Sequence, residues 1–328
     1  MVLMTGLKLP TRPRRLRQSE SIRQLIKETH LNLTDFVAPI FVSDRSHDEE
    51  ISSMPGILRF QYSSALSKVS EFEKLGIKAI APFPCIADKF KDKYATFAKN
   101  PDNIYLKFIS EVREKFPSIT IFSDIAMDPY SSDGHDGVLK NGKILNDESV
   151  EILCEMAIAQ AKAGSHFVSP SDMMDGRVGA IRQTLDQLSY TDTGIMAYSS
   201  KFASAFYGPF REALDSEPRS GDKKTYQMNP ANRFEAFSEA QLDIEEGADI
   251  LMVKPAMNYL DVIRDLKNEF SQPIAAYQVS GEFSMLKNGA ASGLFDERTA
   301  FEESLTAIKR SGADLILSYY SEEFARQL

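Results

Sequence analysis

Cysteine is scarce in this chain, and a long apolar run is missing altogether. The 328 residues include two cysteines, Cys85 and Cys154, with no short spacing between them. Two such thiols build neither a disulfide framework nor a cysteine metal site, and they suit a reducing compartment. The opening stretch MVLMTGLKLPTRPRRLR lacks the apolar centre and small-residue cleavage site of a secretory leader. No window approaches the roughly 18–20 apolar residues that a membrane span needs. Positive charge is not in excess either. The net charge is −9, and an acidic chain repels a phosphate backbone. Neither GxGxxG nor GxxxxGK(S/T) follows the first strand pattern, which removes the main nucleotide-binding form of an open sheet. These absences argue against nucleic acid and membrane as partners, and the expected location is the cytoplasm.

What is present is a repeated strand pattern. Hydrophobic residues make up 43% of the chain, enough for a large core. Eight segments are rich in Val, Ile, Phe, Tyr and Ala: FVAPIFV from Phe36, IKAIAPF from Ile77, ITIFSDIA from Ile119, HFVSPS from His166, GIMAYSS from Gly194, DILMVKP from Asp249, PIAAYQVS from Pro273 and DLILSYY from Asp314. Near-continuous apolar runs of this length mark strands buried on both faces, as in a parallel sheet covered by helices. Between them, stretches such as DNIYLKFISEVREKF and ERTAFEESLTAIKRS place apolar residues at i, i+3, i+4 and i+7, the helical spacing. Gly76, Gly164, Gly247 and Gly312 each close a helical pattern just before a strand. A closed barrel and an open doubly wound sheet both fit such alternation. Without a nucleotide loop the reading is α/β, a (β/α)8 TIM barrel over residues 31–328. Residues 1–30 form a basic N-terminal arm with Arg12, Arg14, Arg15 and Arg17. The stretch near 202–228 is too long for a plain connection and reads as an active-site lid.

In such a barrel, chemistry gathers at the C-terminal ends of the strands. Asp124 and Asp128 follow the third strand pattern, Ser171 and Asp172 the fourth, Lys201 the fifth, Lys254 the sixth, Tyr277 and Ser280 the seventh, and Tyr319 the eighth. Neighbouring parallel strands lie about 4.8 Å apart, so Lys201 and Lys254 can meet. Two cations in a partly apolar pocket depress each other's pKa, and the neutral amine that results attacks ketones to give Schiff bases. A solvated lysine at a strand end is the plainer reading of either one alone. The lid carries Arg211, Arg219, Lys223 and Lys224 among aromatics. These suit substrate carboxylates, or simply a solvated basic loop. Asp124, Asp128, Asp133 and Asp136, with His135, offer oxygen ligands of the kind magnesium prefers, or an acidic turn.

Several longer stretches point further. YSSKFASAFYGPFR around Lys201, LMVKPAM around Lys254, PSDMMDGRVGAIR from Pro170, YQVSGEF from Tyr277 and GDKKTYQMNPANR from Gly221 resemble the signatures of the porphobilinogen synthase (5-aminolevulinate dehydratase) family. The similarity runs from Arg12 to the terminal SYY region, with motifs in order and consistently spaced. The resemblance implies a barrel that condenses two 5-aminolevulinate molecules to porphobilinogen with loss of two waters. It gives Lys254 a Schiff base with the propionate-side substrate and Lys201 one with the acetate-side substrate. By the same resemblance Arg211 and Lys223 bind one substrate carboxylate, and Ser280 and Tyr319 the other. Asp124, Ser171, Asp172, Tyr207, Gln227 and Tyr277 match further pocket residues.

The sequence departs from the family's zinc-dependent branch, whose three cysteines match Ala126, Asp128 and Asp136 here. A cysteine-ligated zinc of that kind is therefore excluded. The pattern resembles the aspartate-rich, magnesium-responsive branch, which implies an allosteric Mg2+ at Glu239 and leaves Asp128 and Asp136 as candidate ligands of an active-site metal. Asp133 stands where many members have histidine, and Lys223 where some have arginine. The resemblance also implies a homo-octamer embraced by N-terminal arms. A class I aldolase would need only one reactive lysine, and a barrel reduced to a binding module would have no reason to keep both.

Overall fold

The computed structural model describes residues 9–328, so the first eight residues of the expected arm lie outside the described residues. Eight parallel strands form the frame: β1 (Phe36–Ser43), β2 (Ala79–Cys85), β3 (Thr120–Ile125), β4 (Phe167–Pro170), β5 (Gly194–Lys201), β6 (Ile250–Lys254), β7 (Ile274–Gln278) and β8 (Leu315–Ser318). They pair in chain order, and β8 closes on β1 with Phe36 opposite Ile316 and Val37 opposite Leu317. The expected (β/α)8 barrel is the fold observed. Every residue of β6 and of β7 is buried. Inward side chains fill the barrel and outward ones meet helices, which is why these strands read as continuous apolar runs.

The covering helices are α1 (Tyr62–Lys74), α2 (Ile104–Lys115), α3 (Asn146–Ala163), α4 (Arg177–Gln187), α5 (Glu235–Glu245), α6 (Leu260–Glu269), α7 (Glu297–Ser311) and α8 (Ser321–Ala325). α6 shows the logic: it buries Val262, Ile263 and Leu266 on one side. Gly164 ends α3 at φ 104°, a left-handed conformation that a side chain disfavours.

Some local elements were not foreseen. A helix at Ser280–Ala291 stands between β7 and α7, built from SGEFSMLKNGAA, whose small residues blur the helical period. A strand at Leu58–Gln61 adds to the outer side of β1, with Arg59 opposite Phe41. A hairpin of Val138–Lys140 and Lys143–Leu145 follows β3. In the arm, a 3-10 turn at Pro13–Arg17 and a helix at Glu20–Leu25 bury no residue, whereas Leu31 and Leu33 pack against the barrel.

The segment after β5 lies over the barrel mouth. It forms a 3-10 turn at Ala205–Tyr207 and a helix at Gly208–Leu214 before an irregular run to α5. Its far end returns to β5: the Met228 N–H donates to the Lys201 carbonyl at 3.0 Å and the Ala203 N–H to the Met228 carbonyl at 2.8 Å. The segment expected to be a lid is thus a closed loop with both ends anchored at the strand that carries Lys201.

Candidate active site

Lys201 and Lys254 are the last residues of β5 and β6, and the ladder places them directly opposite each other. Both are buried. The Lys254 Nζ sits among four rings, 5.1 Å from the centroid of Tyr198, 5.2 Å from Tyr207, 5.0 Å from Phe210 and 4.9 Å from Tyr277. Ring faces attract a cation but replace little of its hydration. Burial, and next the nearby Lys201, pull the Lys254 ammonium down to about 7, against the opposing pull of Asp124, Asp128 and Asp136. A large fraction of this amine is therefore neutral near neutral pH.

Lys201 has different company. Its Nζ donates to the Ser171 carbonyl and stands 3.8 Å from Asp136 Oδ2. Lys223, from the lid, reaches the same corner at 3.1 Å from Asp136 and 3.2 Å from Asp128. Burial favours the neutral form of Asp136, but Lys201 and Lys223 outweigh it and hold the carboxyl at about 2. Asp128 is pushed up by burial, with Lys223 opposing and Asp136 adding to the rise. Asp124 is raised to about 7 by burial and then by Asp128. Its Oδ1 is buried with no hydrogen-bond partner, an acceptor left over for a guest.

The remaining expected pocket residues gather at the same strand ends. The Tyr277 and Tyr319 hydroxyls are 2.9 Å apart. The Ser280 hydroxyl accepts from the Phe210 N–H at 2.9 Å, and Tyr207 donates to the Phe202 carbonyl at 2.7 Å. Asp172 accepts from the Met174 N–H at 2.7 Å. Burial raises its carboxyl to about 6, with Arg177 opposing. Gln227 is buried and its Oε1 is unpartnered.

Arg211 and Glu239 stand apart from this arrangement. Arg211 faces a cavity of 450 Å³ together with Arg45, Arg59 and Glu212. Glu239, half-buried on α5, faces a cavity of 590 Å³ with Glu235, Asp175, Asn146 and Asn232. Asp128 and Asp136 are committed to Lys223, and among the described residues no group of three or more His, Cys, Asp or Glu is arranged to hold a metal.

The family model for delta-aminolevulinic acid dehydratase matches residues 10–327. The chain belongs to this family. It is 51% identical over 327 residues to the chloroplastic delta-aminolevulinic acid dehydratase of Physcomitrium patens, covering 99% of this chain and 76% of that one. It is 50% identical over 317 residues to the enzyme of Chlamydia pneumoniae, covering 96% of each. The solved delta-aminolevulinic acid dehydratase of Toxoplasma gondii ME49, in complex with its product porphobilinogen, superposes with a TM-score of 0.97 at 46% identity, over 98% of this chain and 93% of that one. The activity of this family member is the condensation of two 5-aminolevulinate molecules to porphobilinogen with loss of two waters, a hydro-lyase step of tetrapyrrole biosynthesis.

Sequence reasoning missed two rings of the lysine cage, Tyr198 and Phe210. Tyr198 lies within a buried strand, where only three-dimensional packing distinguishes a cage residue from core. Phe210 is one of the aromatics among the lid's basic residues, but nothing in the sequence aims it at Lys254. Arg177 was also missed. It is buried and forks onto Asp243 at 3.1 and 3.3 Å behind Asp172.

Proposed function

We propose that Lys254 and Lys201 carry the condensation as two Schiff bases, Lys254 with the propionate-side substrate and Lys201 with the acetate-side one. The observation that carries this reading is the pairing of the two lysines across β5 and β6 with one amine held at about 7. The neutral amine adds to the ketone carbon, the carbinolamine loses its hydroxyl as water, and an iminium remains. Asp124, titrating near 7 in the same pocket, is suited to give the proton to that departing hydroxyl and to take one back. An iminium acidifies the adjacent C–H and activates its own carbon. One substrate thereby supplies the carbon nucleophile and the other the electrophile. Carbon–carbon bond formation leaves the electrophile's lysine attached as a secondary amine, which departs by elimination with a proton from the neighbouring carbon. A substrate amine then adds to the other iminium and expels the second lysine. Loss of a last C–H proton makes the ring aromatic, the two ketone oxygens having already left as water when the iminium ions formed.

The substrate acid groups have two sets of partners in this reading. Ser280 and Tyr319 bind one, and Arg211 with Lys223 binds the other. Lys223 would exchange Asp128 and Asp136 for the substrate carboxylate. Ser171, Asp172, Tyr207, Gln227 and Tyr277 line the pocket. The lid, residues 202–228, shuts water out of it, since iminium ions hydrolyse.

Magnesium fits near Glu239. Burial, with Asp243, Asp175 and Glu235 adding to it and Arg177 opposing, raises that carboxyl, and a hard cation would offset the repulsion. Glu239, with Glu235 and Asp175 on the same cavity, would hold Mg2+ away from the lysines, where it would act as an allosteric effector. Asp128 and Asp136 do not fit a metal while Lys223 bridges them. The arm at residues 1–30 joins subunits into a homo-octamer; Leu16 and Leu25, 54% and 82% exposed, suit burial against another barrel. Among the described residues no helix is long and apolar enough to cross a membrane, and the expected location is cytoplasmic.

Lys201→Ala tests the division of labour. It should make no porphobilinogen yet still give a borohydride-stable adduct on Lys254. Normal product formation by that variant would remove Lys201 from the reaction.

A further inference from the structure

The geometry points to Arg59 as a positioning residue that latches the lid over Lys254. Arg59 lies outside the lysine pocket, on the strand Leu58–Gln61 that pairs with β1. Its side chain is only 12% exposed, and its charge is met by Glu49 at 3.3 Å. The other two arms of the guanidinium leave the barrel body for the lid. Nε donates to the Ala213 carbonyl at 2.7 Å and Nη2 to the Glu212 carbonyl at 2.5 Å. These carbonyls belong to the last turn of the Gly208–Leu214 helix, where helix geometry leaves acceptors short of internal partners (Glu212 has only the Asp215 N–H at 3.3 Å) and the helix dipole favours a cation.

The same helix carries Phe210, the lid ring closest to the reactive amine, at 5.0 Å from Lys254 Nζ. Phe210 also packs 5.8 Å from Phe41, the residue paired with Arg59 in the strand ladder. Two elements that carry no catalytic group are thereby locked to the one that closes the pocket. Three weaker ties join the same edge. The Cys85 thiol donates to the Ala213 carbonyl at 3.2 Å. Ser52 donates to the Glu212 carboxylate at 2.7 Å, and Lys91 to the Asp215 carbonyl at 2.8 Å. Burial pushes the Cys85 thiol up to about 12, so it stays an S–H donor. Arg59 is distinguished among them by its fork. A planar guanidinium spans two carbonyls and a carboxylate at once, which an ammonium cannot copy.

Lys254 is only 6% exposed with the lid down, so substrate entry calls for the lid to lift, and Arg59 sets the balance between open and closed lid. This inference rests on the reading of Lys254 as the site of attack. The test is hydrogen exchange over residues 208–228 in the substrate-free enzyme, alongside steady-state kinetics with 5-aminolevulinate. Arg59→Met should speed lid exchange by about tenfold or more, since a two-state lid responds directly to lost closed-state contacts, and should raise KM more than it lowers kcat. Arg59→Lys should fall between. Glu49→Gln, which only unanchors the guanidinium, should shift both readouts the same way by less, and it stands in if Arg59→Met fails to fold. Unchanged lid exchange in these variants, or faster exchange spread evenly over the barrel, would overturn the latch. Borohydride trapping on the unaltered enzyme keeps the two claims separate, because a missing Lys254 adduct would sink the Schiff-base reading whatever the lid does.

Discussion

Two lysines face each other across neighbouring strands, yet their surroundings differ in kind. Lys254 stands among four aromatic rings. Lys201 stands against the Ser171 carbonyl and the Asp136 carboxylate. The aromatic side desolvates a cation without supplying a counter-charge, and the ammonium there is drawn down to about 7. The carboxylate side supplies the counter-charge and keeps a cation satisfied. On the proposed reading, one fold prepares two identical side chains for different moments of one reaction, with Lys254 placed to attack and Lys201 first to be freed from Asp136.

The sharpest way to break this comparison is to delete each amine in turn. Lys254→Ala should lower turnover by at least about a hundredfold while leaving the fold intact, because no other group supplies a neutral amine at that position. Residual activity above a few per cent, measured on protein of unchanged thermal stability, would contradict its role. Lys201→Ala should also lose product formation, but with the Lys254 adduct retained.

The next test acts on the cage rather than the amine. The Lys254 pKa is lowered from its ordinary value to about 7, so the amine is neutral above that pH and protonated below it. The acid limb of kcat/KM should therefore fall away as pH drops through about 7. Phe210→Ala admits water to the amine and restores part of its basicity. Its acid limb should move to higher pH, with activity at neutral pH down roughly tenfold. An unmoved limb would show that the rings do not set the amine's basicity. The smallest effect is expected farthest away. Glu239→Ala should abolish stimulation by magnesium, and undiminished stimulation would move that effector to another site.

Much of this arrangement was legible in the sequence, for definite physical reasons. The barrel strands are buried on both faces, so they read as unbroken apolar runs, and their bounds fell within a few residues of the structure. Lys201 and Lys254 could be placed side by side because successive parallel strands are spatial neighbours. The contacts that set chemistry were not legible, since they join residues far apart in the chain. The ion pairs of Lys223 with Asp128 and Asp136 are such contacts, and they stand beside its expected role on a substrate acid. Sequence spacing cannot reveal which anion a mobile cation will choose. The helix at Ser280–Ala291 was missed because its glycines and serines weaken the apolar period, although Glu282 in its first turn is held by the Val279 and Met257 N–H groups. Arg59 sits in a short strand with no strong pattern of its own.

The most direct test of the account is borohydride trapping of the pure, metal-stripped enzyme with 5-aminolevulinate, with and without magnesium, followed by mass mapping of the lysines. A reduced adduct on Lys254 is expected under both conditions, with more product when magnesium is present. An adduct confined to another lysine, or product formed with no trappable adduct on Lys254, would contradict it.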